Sequence, residues 1–202
     1  MNYPNFNEEK KLWGQGHNVV VGIDEAGRGP LAGPVVAGAV CFDKNFSIKN
    51  LKINDSKKLT EKQREEFYEI LTTNKNIKWG VGIVSEKVID KINILEATKL
   101  AMQKSFEKLN PDFLLLDGNF KINSEVLQKS IVKGDQKVFS ISAASIIAKV
   151  TRDKIMQKYH KQYPQYGFDK HKGYGTALHI ANIEKFGVCK IHRKTFYPVS
   201  AL

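Results

Sequence analysis

Asp24 and Glu25 stand side by side at the end of an apolar run, and the turn Gly27-Arg28-Gly29-Pro30 follows them directly. Paired acids against a basic, glycine-rich turn suit a metal site beside a phosphate site, because an uncompensated buried carboxylate is expensive and a divalent cation removes that cost. Two further acids close the set: Asp117, after the run Phe113-Leu114-Leu115-Leu116, and Asp153, within the segment from Ile141 to Pro164. Asp24, Glu25, Asp117 and Asp153 then come from two strand ends and one helix. Hard oxygen ligands without His or Cys nearby favour Mg2+ or Mn2+ over zinc. Two such ions about 3.5–4 Å apart can clamp a phosphodiester, one activating water and the other stabilising the leaving oxygen, with no protein nucleophile. Asp135, in Lys133-Gly134-Asp135, is another acid at a strand end and the alternative to Asp153. Gly27, Arg28 and Gly29 offer backbone N–H groups and a guanidinium where a phosphate or a sugar hydroxyl would lie.

Other chemistries fit less well. A dinucleotide-binding loop would follow a first strand in the same way, but the spacing here is Gly-x-Gly-x-x-x-Gly from Gly27 to Gly33. Pro30 also lacks an amide donor, and the two preceding acids would repel pyrophosphate. His17, His160, His171, His179 and His192 are scattered, with no acid–serine partnership of the kind a Ser-His-Asp hydrolase needs. Cys41 and Cys189 are far apart in the chain, so neither a zinc site nor a disulfide framework is indicated. A reducing compartment fits them.

The elements that must position these residues follow from periodicity. Val19 to Ile23 is β-branched apart from Gly22 and reads as a buried strand whose end carries the acids. Adjacent strand residues face opposite ways, so a common focus for Asp24 and Glu25 requires the strand to end or bulge there. Gly33 to Phe42 reads as a second strand, antiparallel to the first, and Asn54 to Leu59 as a loop. Thr60 and Glu61 begin a helix to about Leu71, with Phe67, Ile70 and Leu71 on its apolar face. Ile77 to Ser85 returns to strand, and Ser85 caps a helix carrying the stripe Val88, Ile92, Leu95, Met102, Phe106 and Leu109. After Pro111 come the strand ending in Asp117 and a last strand from Ser130 to Gly134. From Ile141 a long helix runs to Pro164, with Lys149 and Asp153 one turn apart at the seam between helix and core. Gly167 to Gly175 is a basic, aromatic, glycine-punctuated loop before a helix from Thr176 to Phe186, and the segment from His192 packs back as a tail.

Composition narrows the partners. The 202 residues suffice for one α/β core with an appendage, and 32 Lys plus Arg against 21 Asp plus Glu give a net charge of +11. Such a chain attracts polyanions, nucleic acid first. No apolar run reaches membrane-spanning length, so a cytoplasmic monomer is expected.

Several long motifs resemble one family in the same order. They are DEAGRGPLAGP from Asp24, DSKKLT from Asp55, LLLDG to Gly118, KGD with SISAASIIAKVTRD to Asp153, YPQYGFDKHKGYGT to Thr176 and HRKTFYPV to Val199. This chain is similar to ribonuclease HII, and its glycine turn departs from that of type HIII. The resemblance implies an α/β, ribonuclease H-like mixed five-stranded sheet flanked by helices, with a C-terminal helical extension. Residues 18–165 would form the catalytic domain, 166–202 the extension and 1–17 a polar lead-in. It implies cleavage of RNA in RNA/DNA hybrids and incision 5′ of single ribonucleotides in duplex DNA, using two Mn2+ or Mg2+ ions and leaving 3′-hydroxyl and 5′-phosphate ends. Asp24, Glu25, Asp117 and Asp153 match the metal-binding acids. Gly27, Arg28 and Gly29 match a turn that senses the 2′-hydroxyl, and Tyr174 a tyrosine that packs on the sugar past the RNA-to-DNA junction. Ser56, Lys57, Lys58 and Lys149 would contact phosphates. The tail after Phe196 either packs on the domain or docks a replication clamp, and packing is the preferred reading.

A non-catalytic nucleic-acid-binding module of the same fold is the competing class, and it leaves four acids on a surface where neutral or basic residues would serve better. Binding in either case should weaken steeply with salt, each phosphate contact contributing about 0.9 to the log–log slope on duplex DNA. Neutralising Lys57 and Lys58 together should flatten that slope in fluorescence-anisotropy titrations, and an unchanged slope would remove that loop from the interface.

Overall fold

The computed structural model describes residues 3–47 and 59–201. Its centre is β1 (Val20–Ala26), paired antiparallel with β2 (Val35–Phe42), which pairs antiparallel with β3 (Ile77–Val84). On its other side β1 pairs parallel with β4 (Phe113–Asp117), and β4 with β5 (Leu127–Ile131), giving the five-stranded order β3-β2-β1-β4-β5. This is a ribonuclease H-like mixed sheet. β1 and β2 are apolar along nearly their whole length because both of their faces are covered. Helix α3 (Glu86–Phe106) lies on one face, where Ala97, Ala101 and Met102 meet Ile23, Ala37 and Ala39. Helix α4 (Phe139–Gln162) lies on the other, with Phe139, Ala143 and Ile147 against Val40 and Phe42.

The closeness of α4 to the sheet depends on two glycines. A Cβ on Gly22 would strike the backbone of Ser140, and one on Gly38 would strike the carbonyl oxygen of Ala144. With both absent, α4 rides directly over β1 and β2 and its middle turns reach the C-terminal end of β1. Its first turn is held from outside the helix. Helix α1 (Asn7–Gly14) buries Glu9, whose Oε1 accepts from the Ser140 N–H at 2.9 Å, and burial pushes the Glu9 carboxyl up from its ordinary range. Phe6 and Leu12 are buried as well, so the stretch read as a polar lead-in holds a packed helix.

Helix α2 (Glu61–Thr73) opens with a capping box between Thr60 and Gln63 and buries Leu71, while Ile70 faces outward. In α3, Ser85 sits at the cap position without a side-chain bond. Asn93 breaks the helix with φ 64° and restarts it by accepting from the N–H groups of Leu95 and Glu96. That break offsets the two halves of the helix, so no single stripe spans it: Met102 and Phe106 are buried as expected, whereas Ile92 and Leu95 are exposed and Ile89 and Ala97 are buried. The last strand lies earlier than Ser130–Gly134, because β5 is a half-polar edge strand without a clear apolar signal. Among the described residues no helix is long and apolar enough to cross a membrane.

The C-terminal segment adds α5 (Phe168–His171) and α6 (Ala177–Phe186) around a core of Leu31, Met156, Tyr166, Phe168, Ile183, Ile191 and Val199. Histidines that look scattered in the sequence converge here. His192 Nδ1 accepts from the Cys189 N–H at 2.8 Å, His192 Nε2 lies 3.1 Å from His179 Nε2, and His179 Nδ1 lies 2.9 Å from the Tyr174 carbonyl oxygen. The carbonyl can only accept, so His179 carries its proton on Nδ1 and accepts at Nε2 from His192. Both rings are therefore neutral, and burial pushes each pKa down to about 4. Unfolded histidines bind protons near pH 6.5, so between about 6.5 and about 4 the unfolded chain holds more protons and stability falls as pH falls. Buried carboxyls raised in the folded chain, Glu9 among them, act in the opposite sense, so the share of the pair is read against a variant: from pH 7 to pH 5 the urea midpoint of the wild type should decline relative to that of His192→Gln. The same pH dependence in both would mean that these rings are charged in the folded chain.

Candidate active site

Strand alternation places the first acids. Gly22 faces α4, so Asp24, two residues on, faces it too, and the parallel register Gly22 to Leu115 puts Asp117 on the same face of the neighbouring strand. The two carboxylates thus lie side by side where adjacent parallel strands end. Asp135 arrives from the chain past β5. Lys133 takes a left-handed conformation (φ 56°), the tight turn Gly134–Gln136 follows, and the Gly134 N–H donates to Asp117 Oδ1 at 2.6 Å. Asp24, Asp117 and Asp135 each offer an oxygen within 4.8 Å of the others. Glu25, at the strand end, lines the same cavity in spite of alternation, and its Oε2 is buried with no hydrogen-bond partner among the described residues.

Asp153, expected in this set, is not among the acids brought together here, and Asp135, the alternative of the sequence reading, is. Ser145 of α4 faces the cavity, and Asp153 lies eight residues farther on, about 12 Å along the helix axis. It accepts from Lys149 Nζ at 2.8 Å and borders a separate depression with Glu61 and Val150. The usable sequence signal for Asp135 was an acid in a glycine turn directly ahead of the buried helix.

The cluster is electrostatically frustrated. Burial, followed by the charges of Glu25 and Asp117, pushes the Asp24 carboxyl well above the ordinary range, against hydrogen bonds from Ser145 and from the Glu25 N–H (2.7 Å). Glu25 is raised by burial and by Asp117, although Arg28 at 3.4 Å opposes this. An orphaned carboxylate oxygen and three converging acids, all hard donors, fit a divalent cation of the Mg2+ or Mn2+ type.

The cavity holds about 410 Å³ and is bordered also by Gly27, Arg28, Gly29, Arg64, Ser145, Lys149 and Tyr174. Gly29 and Tyr174 face each other, since a Cβ on Gly29 would stand 3.9 Å from Tyr174 Cε1. The tyrosine is 45% exposed, open to a ligand on its outer side. Lys149 borders the cavity, whereas Ser56, Lys57 and Lys58 lie outside the described residues. Arg64, which the sequence reading passed over, enters from the first turns of α2, where its Nη1 donates to the Leu59 carbonyl at 2.5 Å.

The family profile described as Ribonuclease HII matches residues 21–199. The chain belongs to the ribonuclease HII family. Curated ribonuclease HII proteins from Chlamydia caviae and Acetivibrio thermocellus are 51% and 54% identical, covering 95% and 93% of this chain and 90% and 73% of theirs. Among solved structures, the ribonuclease H2 of Pyrococcus horikoshii superposes with a TM-score of 0.72 at 29% identity, over 91% of this chain and 96% of that one. The ribonuclease HII of Archaeoglobus fulgidus, solved as a complex with PCNA, superposes with a TM-score of 0.75 at 25% identity, over 88% and 95%. As a member of the family this protein is a metal-dependent endoribonuclease acting on RNA/DNA hybrids.

The placement of the acids sets an order for the variants. Asp135→Asn should weaken Mn2+ binding, measured by calorimetry, by about tenfold or more, equivalent to about 1.4 kcal/mol, while Asp153→Asn leaves it unchanged. The reverse order would return Asp153 to the ligand set.

Proposed function

We propose that this ribonuclease HII family member incises duplex DNA on the 5′ side of a single embedded ribonucleotide, besides cleaving continuous hybrids, and leaves 3′-hydroxyl and 5′-phosphate ends. The observation that carries this reading is one cavity in which converging carboxylates face a glycine turn and an open tyrosine ring. Asp24, Glu25, Asp117 and Asp135 would hold the divalent ions, Mg2+ or Mn2+. Such ions, when bound, supply an activated water and charge stabilisation for the leaving oxygen. Arg28, Arg64 and Lys149 orient the phosphates around the scissile bond. The N–H groups of Gly27 to Gly29 meet the 2′-hydroxyl, the one group that distinguishes ribose from deoxyribose. Tyr174 packs on the next sugar, flat only if that sugar lacks a hydroxyl.

A purely binding module would carry the repulsion of these buried acids for no gain, which argues against the non-catalytic alternative. Cys41 and Cys189 are free thiols, in keeping with a reducing, cytoplasmic setting. The PCNA complex of the archaeal relative raises a clamp contact for this chain; Val199 is buried here, so such docking would use the exposed Tyr197.

The deciding assay is nicking of a duplex with one embedded ribonucleotide, in Mg2+ with and without chelator, and absence of a metal-dependent nick would overturn the reading. Tyr174→Ala should lower kcat/KM by about tenfold more on that substrate than on a continuous hybrid, and Tyr174→Phe should lose less. Equal losses on both substrates would reduce Tyr174 to general support of the site.

A further inference from the structure

Arg152 and Arg193 are the largest fully buried side chains among the described residues, 1% and 0% exposed. Neither forms an ion pair among the described residues; every hydrogen bond they donate goes to a main-chain carbonyl. Arg193 reaches Gly27 O through Nη2 at 2.6 Å, Arg28 O through Nη1 at 2.8 Å and Gly33 O through Nε at 3.0 Å. Arg152 reaches Ala32 O at 3.1 Å, Pro34 O at 3.0 Å and Lys172 O at 2.9 Å. Lys172 lies two residues before Tyr174, so the pair ties both walls of the cavity to one anchor.

Stability alone does not account for this arrangement. Burial, and the proximity of Arg152, lower the Arg193 pKa to about 9, and apolar side chains would fill such a space at lower cost. What the guanidinium does is fix direction. In a planar trans peptide the C=O and the following N–H point opposite ways. Holding Gly27 O and Arg28 O toward the interior therefore turns the N–H groups of Arg28 and Gly29 toward the cavity that these residues line. Among the described residues neither N–H has a protein acceptor.

We propose that Arg193, with Arg152 behind it, is a positioning residue that aims the Arg28 and Gly29 N–H groups at the sugar, so that selection of ribose depends on its planar fork. This rests on the proposed role of the Gly27–Gly29 turn. A lysine would keep the charge but could not hold two successive carbonyls in one plane.

The test uses the full chain with Ca2+ and reads, by anisotropy, the ratio of Kd for an all-DNA duplex to Kd for the same duplex with one ribonucleotide. Arg193→Lys should reduce that ratio toward one, a loss of about tenfold, while Mn2+ affinity and binding to the all-DNA duplex stay as in wild type. Arg152→Lys should act in the same direction. Gly29→Ala, for which the fold has room, tests the turn itself. If Gly29→Ala reduces the ratio and the folded arginine variants do not, the positioning role is wrong and the turn's role stands. If Gly29→Ala leaves the ratio unchanged, the turn's role is wrong and the inference falls with it. Amide exchange in the wild-type chain needs no variant: the Arg28 and Gly29 N–H groups should exchange as open donors, and strong protection would overturn the inference.

Discussion

The cost of gathering carboxylates at a largely buried site, desolvation first and mutual repulsion second, is the constraint around which the molecule is arranged. Asp24, Asp117 and Asp135 hold oxygens within 4.8 Å of one another, so the chain must resist their separation until a cation offsets the charge. Rigid neighbours meet that demand. Two acids are fixed by the hydrogen-bonded ends of β1 and β4, and the third by the turn whose Gly134 N–H binds Asp117. Helix α4 closes the face directly behind them, which is why Gly22 and Gly38 carry no side chain. Packing of the sheet and focus of the acids are one arrangement: a helix held farther away would take Ser145 from Asp24.

The second wall of the cavity is built by different physics. Around the glycine turn and Tyr174 the described residues form only isolated main-chain contacts, such as Leu31 N–H to the Gly173 carbonyl, and side chains bind the backbone beside them. Arg193 and Arg152 gather carbonyls from both walls, and the neutral pair His179 and His192 ends its proton order on the Tyr174 carbonyl. Each of these groups is buried, polar and bonded to main chain, the two histidines also to each other, which gives a loop the definition that strands receive from pairing. The C-terminal segment is therefore part of the site and not a cover over it.

Much of this was legible in the chain. The apolar run before Asp24, the short run before Asp117 and the long segment from Ile141 read correctly, because burial on both faces leaves a dense apolar signal. β5 and the phase of α3 did not. An edge strand needs little apolar character, and a single asparagine that restarts a helix leaves the composition unchanged while offsetting the buried faces of the two halves.

By itself the sequence determined the kind of chemistry: oxygen ligands at strand ends, a basic glycine turn, a positive chain suited to nucleic acid, and motifs in one family's order. Only the tertiary structure decided which acids meet. Asp135 and Asp153 are the same residue type, one just ahead of the long helix and one within it, but the first sits at its N-terminal approach beside the strand ends and the other about 12 Å beyond Ser145 along its axis. The same holds for Arg193, whose partners are carbonyls far away in the chain, and for the histidines, whose pairing depends on how the C-terminal segment folds on itself. A hydrogen bond to main chain leaves no mark in the identity of its acceptor, so these contacts exist only once the backbone has been folded past them.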